Sequence, residues 1–172
     1  VPGRTPDAEV VVVGAHYDHL GLGQSGSVEV SPEGKIHPGA DDNASGVAAI
    51  LEVARTLAPR AGTLSRGVLF VAFGAEEQGA LGSSHFVKTP PPLADRMAAM
   101  LNLDMVGRLR EDTLDVHGVG TSPVWKPALD AANKATGLRL RTHEGGYGPS
   151  DHAPFYAAGK PVLFFFTGTH PE

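Results

Sequence analysis

The run Glu9-Val10-Val11-Val12-Val13-Gly14-Ala15-His16-Tyr17-Asp18 decides how the rest of the chain reads. Four consecutive valines with no polar alternation predict a strand covered on both faces, as in the parallel sheets of α/β domains. In such sheets ligands sit at the carboxyl ends of the strands. Here the apolar run gives way directly to a histidine and a carboxylate.

Working outward, the same pattern recurs. Arg66 to Ala75, Met97 to Met105 and Val162 to Phe166 are further buried strands, and Leu114 to Val116 and Leu138 to Arg141 are shorter ones. Between them, Val47, Ile50, Leu51, Ala54 and Leu57 fall at helical spacing, and Pro59 ends that helix. Ser83 to Val87, Pro123 to Thr136 and Asp151 to Ala158 read as further helical segments, and Val28 to Ile36 as a small hairpin around Pro32-Glu33-Gly34. The alternation predicts an α/β three-layer sandwich, a mostly parallel, mixed central sheet with helices on both faces.

The 172 residues suit one domain, 1–172. A net charge of −5 argues against a nucleic-acid backbone as partner, and no apolar run approaches the length of a membrane span. The absence of cysteine excludes disulfides, thiolate metal sites and cysteine nucleophiles together. The chain begins at Val1, which reads as a processed or excised fragment.

Five junctions carry the chemistry: His16-Tyr17-Asp18, Asp41-Asp42-Asn43, Glu76-Glu77, Asp104 and Ser150-Asp151-His152. Each alone has a bland reading, since Asp42-Asn43 before a helix is ordinary capping and a Glu-Glu pair is ordinary solvated loop. Together they bring Asp18, Asp41, Asp42, Glu76, Glu77, Asp104 and Asp151 to one sheet edge. Such crowding raises carboxylate pKa values and costs stability unless cations neutralise it. Histidine and carboxylate ligands suit Zn²⁺, with Co²⁺ or Mn²⁺ as substitutes, and five ligands with one bridging carboxylate suit two metals. Gly21-Leu22-Gly23-Gln24-Ser25-Gly26 matches a dinucleotide fingerprint, but no helix follows to receive a pyrophosphate. Serine-hydrolase, P-loop and H-E-x-x-H motifs are absent from the sequence.

Ala15-His16-Tyr17-Asp18, Gly39-Ala40-Asp41-Asp42-Asn43-Ala44-Ser45-Gly46, Ala75-Glu76-Glu77-Gln78-Gly79, Asn102-Leu103-Asp104-Met105 and Ser150-Asp151-His152 occur in that order. They resemble the co-catalytic zinc exopeptidases of the bacterial leucyl aminopeptidase and aminopeptidase Y family, from about Val10 to the end. The resemblance implies a two-zinc aminopeptidase acting on peptide or protein N-termini. By it, His16 and Asp104 hold one zinc, Glu77 and His152 the other, and Asp41 bridges them. Glu76 is then the general base, Asp18 orients His16, and the peptide between Asp41 and Asp42 is cis. Tyr147 is a candidate oxyanion donor and His170 a candidate pocket residue. Relatives of this type continue past this point with a further histidine-containing segment and a closing helix, so the domain is expected to lack its C-terminal part. The resemblance also leans towards a secreted or periplasmic protein. Two other readings remain: a one-zinc glutaminyl-peptide cyclase, and an inactive relative used as a binding module.

Overall fold

A computed structural model describes residues 1–23, 25–29, 31 and 34–169. In chain order the elements are β1 (Val10–His16), α1 (Ala44–Leu57), β2 (Gly67–Phe73), α2 (Leu81–Lys88), β3 (Met97–Leu103), β4 (Thr113–His117), α3 (Trp125–Asn133), β5 (Arg139–His143), α4 (His152–Ala157) and β6 (Val162–Phe166). The strands form one sheet in the order β2-β1-β3-β6-β4-β5. β2, β1, β3 and β6 run parallel, and β4 pairs antiparallel with β6 and parallel with β5. The sheet is therefore mixed and mostly parallel.

The valine run alternates between two apolar layers, as a strand must. Val12 faces one side with Phe73, Met97, Met100, Phe155 and Val162, where Phe86 and Val87 of α2 and Tyr156 of α4 close the layer. Val13 and Ala15 face the other side, against Val47 and Ile50 of α1. Further along that second side, Leu163, Val116 and Leu140 pack on Trp125 and Leu129 of α3. Helices thus cover both faces. Fully buried side chains of this size each stabilise by about 1.5–3 kcal/mol, which accounts for the lack of polar alternation.

The hairpin expected over residues 28–36 does not form a strand pair among the described residues, and Val30, Pro32 and Glu33 lie outside them. Val28 and Ile36 are exposed, so their apolar alternation finds no sheet to pack on. An ion pair between Lys35 and Glu29 (2.6 Å) joins the two arms instead.

The topology selects one crevice. β1 leads through α1 to β2 on one flank, while β3 leads on to β4 on the other. Chains leaving in opposite directions open the carboxyl ends of β1 and β3, the usual ligand position in open α/β sheets.

Candidate metal centre

Register makes the first contact. Gly14 pairs with Asn102 across β1 and β3, so two residues further on His16 meets Asp104. His16 Nε2 lies 3.3 Å from Asp104 Oδ1, and both residues are buried. The ring is held from behind, its Nδ1–H donating to the Asp18 carbonyl at 3.0 Å. That tautomer leaves Nε2 facing the carboxylates, the arrangement typical of a ligating imidazole.

Asp18 was expected to orient His16. It does so chiefly through its main chain, because its carboxylate stands 3.6 Å from Nδ1. The carboxylate has a second task, accepting from the Glu76 and Glu77 N–H groups at 3.1 and 3.3 Å. One residue therefore positions both the histidine and the Glu-Glu loop. Ala75, at φ +58°, turns the chain out of β2 to present that loop.

Asp104 is fixed through a relay. Asn102 Nδ2 donates to Ser150 Oγ at 2.7 Å, and Ser150 donates to Asp104 Oδ2 at 2.7 Å. Asn102 lies on β3, two residues before Asp104, and Ser150 in the segment before α4, so a hydroxyl 46 residues away in the chain leaves no local sequence signal of this role.

Two expected ligands are placed apart from the donors that converge. Asp41 Oδ1 accepts from the Gly107 N–H at 2.8 Å and so holds the loop after β3. The central carboxylate is Asp42, with Oδ1 3.2 Å from His16 Nε2 and Oδ2 3.8 Å from His19 Nδ1. The cis peptide likewise lies one residue further on, at Asp42–Asn43. Adjacent residues in a turn project to opposite sides, and Asn43 settles which side is which. Its Oδ1 caps α1 at Gly46 N (2.9 Å) and accepts from Met105 N (3.2 Å), and its Nδ2 donates to Leu103 O (3.0 Å).

His152 is the second. It is not brought to Glu77: the imidazole there is that of His19, whose Nδ1 lies 2.6 Å from Glu77 Oε1. His152 is wholly buried, stacks on Phe164 (centroids 4.4 Å, 15°) and makes no hydrogen bond from either ring nitrogen. Burial lowers its pKa to about 4. The donor atoms that converge are His16, Asp42 and Asp104 in one group and His19, Asp42 and Glu77 in another. His19, three residues after His16, could have been found from the H-x-x-H spacing of His16 and His19.

Glu76 stands just off these groups, its Oε2 4.0 Å from His16 Nε2. Tyr147 is exposed on the rim nearby, edge-on to Tyr156 (4.7 Å, 82°). His170 lies outside the described residues.

The electrostatics ask for positive charge. Burial, reinforced by Asp104, Asp151 and Glu77, pushes Glu76 up to about 8 against the opposing pull of His16. Burial and Asp42 raise Glu77, and burial raises Asp151 to about 6. Burial alone would lower His16, yet Asp104 and Asp42 hold its proton to about 11. A nitrogen and oxygen donor set short of positive charge fits a divalent metal, and zinc above all.

The sequence profile of Peptidase family M28 matches residues 1–172. The chain is 37% identical over 173 residues to Aminopeptidase YwaD of Bacillus subtilis (strain 168), covering 97% of this chain and 34% of that protein. It is 34% identical to Leucine aminopeptidase 1 of Grosmannia clavigera, over 95% of this chain and 41% of that protein. Among solved structures, a zinc aminopeptidase from Bacillus subtilis superimposes with a TM-score of 0.69 at 35% identity, covering 95% of this chain and 39% of that one. Porphyromonas gingivalis glutaminyl cyclase superimposes at 0.76 with 25% identity, covering 97% and 62%. The chain thus spans well under half the length of the aminopeptidases it matches. By profile and by its likeness to these relatives, the chain belongs to Peptidase family M28.

Proposed function

We propose that the protein is a zinc-dependent aminopeptidase that removes N-terminal residues from peptides. The observation that carries this reading is the pair of histidine–carboxylate groups sharing Asp42, with the Glu76 carboxylate beside them, 4.0 Å from His16 Nε2. His16, Asp42 and Asp104 would hold one zinc, and Asp42, Glu77 and the adjacent His19 offer a second position. Bound zinc supplies a Lewis acid for the scissile carbonyl and lowers the pKa of water. The chain's own residues do the remaining work. Glu76, close to the metal ligands, takes the proton of the attacking water at a carboxylate oxygen and returns it to the leaving amine. Asp18 holds Glu76 and His16 in fixed relation through the bonds described above. The free amino group of the substrate is drawn to the surplus of carboxylates, which restricts cleavage to the chain end. Tyr147, on the rim, is placed to donate to the carbonyl oxygen as negative charge develops there.

The test pairs zinc content of dialysed protein with hydrolysis of leucine para-nitroanilide before and after chelation. Two zincs per chain and chelator-sensitive turnover are expected, with Glu76→Gln keeping its zinc and losing at least a hundredfold in kcat. One zinc, no hydrolysis and cyclisation of an N-terminal glutamine would instead establish the cyclase reading, which the likeness to glutaminyl cyclase supports.

A further inference from the structure

Beside Glu76 and Glu77 a cleft of about 720 Å³ runs between α2 and α4. The same two helices meet through Phe86 of α2 and Phe155 of α4 (centroids 5.8 Å), both packed on Phe73. The cleft lining includes the small residues Ala80 and Ser84 on one side and Ala153 and Ala157 on the other. Ser84 and Lys88, four residues apart, lie on one face of α2, and Ala80, the residue before the helix, lines the same cleft. That stripe begins beside the acidic centre and ends on Lys88.

Lys88 is exposed and forms no ion pair among the described residues. The other charged residues lining the cleft are Glu76 and Glu77, at the opposite end. The cleft is therefore dipolar, with carboxylates at the reactive end, an apolar channel, and an ammonium at the exit. At 1.5 Å per residue the distance along α2 from Ala80 to Lys88 is about 12 Å. An extended peptide advances about 3.3 Å per residue, so about three to four residues span that length, counted from the N-terminal one at the carboxylate end.

Resting on the aminopeptidase reading, we propose that this cleft receives the substrate chain beyond the cleaved bond and that Lys88 selects peptides carrying a carboxylate at the third or fourth residue. The amine end of such a peptide meets the acidic centre while its carboxylate meets Lys88. A tripeptide supplies that group from its C-terminus, and a longer peptide from an acidic side chain.

The experiment measures kcat/KM on the full zinc-loaded protein for matched pairs. Leu-Ala-Ala free acid is compared with Leu-Ala-Ala amide, and Leu-Ala-Ala-Glu amide with Leu-Ala-Ala-Gln amide. A preference for the anionic member of about threefold to fivefold is expected at low ionic strength, carried by KM and shrinking as salt is raised. Lys88→Gln should abolish the preference and Lys88→Glu reverse it. Discrimination in the first pair alone assigns the C-terminal carboxylate as the group read, and in the second alone the acidic side chain. Equilibrium binding of the same pairs to the Glu76→Gln protein gives the ratio without turnover. Equal affinities within each pair, or a preference unchanged by both Lys88 substitutions, would overturn the proposal. Loss of all hydrolysis with the binding preference intact would overturn the aminopeptidase reading and leave the selectivity of the cleft established.

Discussion

Replacing Gly46 with alanine tests the joint on which the centre hangs. Gly46 is the third residue of α1, and alanine inside a helix ordinarily gains roughly 0.5–1 kcal/mol over glycine. Here the sign should reverse. A Cβ would collide with Asn43 Oδ1 and with the Leu103 carbonyl oxygen. Leu103 O is main chain at the end of β3, and Asn43 is buried and committed to three hydrogen bonds, so neither can turn aside. Forced separation of α1 from β3 loses the cap, about 1 kcal/mol. Overpacking adds about 1–3 kcal/mol. After the helix gain is subtracted, the net loss is about 2 kcal/mol, or roughly 4–8 °C in Tm for a domain of this size. Urea unfolding of the metal-free protein reads it as a lowered midpoint at constant m. Asn43→Ala removes the same bonds without crowding and should cost about 2–4 kcal/mol, with the double substitution costing less than the two singles together. A Gly46→Ala midpoint equal to or above that of the native sequence would refute the idea that α1 and β3 are locked by close packing here.

Zinc should raise Tm by roughly 8–16 °C when present at about a thousandfold excess over its Kd. Asp42→Asn should remove most of that rise and Asp41→Asn should keep it; the opposite order would restore Asp41 as the central ligand. Asp115, buried between Arg141 and His143, is held below the usual carboxylate range by the guanidinium first and the imidazole second. Because its folded pKa is depressed, the pair stabilises above the ordinary Asp pKa, and the benefit fades as pH falls through the lowered value. Arg141→Met should thus be less stable than the native sequence at pH 7, with the two stability curves converging in strong acid; a gap that stays constant with pH would contradict the ion-pair account. Phe155→Ala, deleting a wholly buried ring in contact with Phe73 and Phe86, should cost about 3–5 kcal/mol in denaturant unfolding. A cost below 1 kcal/mol would mean that α4 is not anchored there.

The strands were legible because parallel strands buried on both faces must be apolar throughout, as Val10–Val13, Val68–Phe73 and Val162–Phe166 are. Helix α1 was legible for a related reason, its 3.6-residue spacing of Val47, Ile50, Ala54 and Leu57. The stretch 28–36 misled because an alternating pattern states only that a strand is possible. A strand also needs a partner and a face to bury, and Val28 and Ile36 are exposed and pair with no strand among the described residues. The candidate site was legible at the level of segments, since the end of β1 and the segments before α1, after β2 and after β3 supply the donors that converge, His16, Asp42, Glu77 and Asp104.

Within a segment the sequence is silent about direction. Asp41 and Asp42 are chemically identical neighbours, and the carboxylate that faces His16 is decided by Asn43, Gly46 and the end of β3, some 60 residues away in the chain. His19 and His152 each sit beside a motif acid. Only packing shows that one reaches Glu77 while the other is shut behind Phe164. What the sequence by itself determined was the layered α/β fold, the shortage of positive charge at one edge and the residue types that gather there, because hydrophobic period and composition are local properties. Which oxygen and which ring nitrogen face the centre was decided only by the tertiary structure, because a side chain in a turn takes its direction from the distant elements that grip its neighbours.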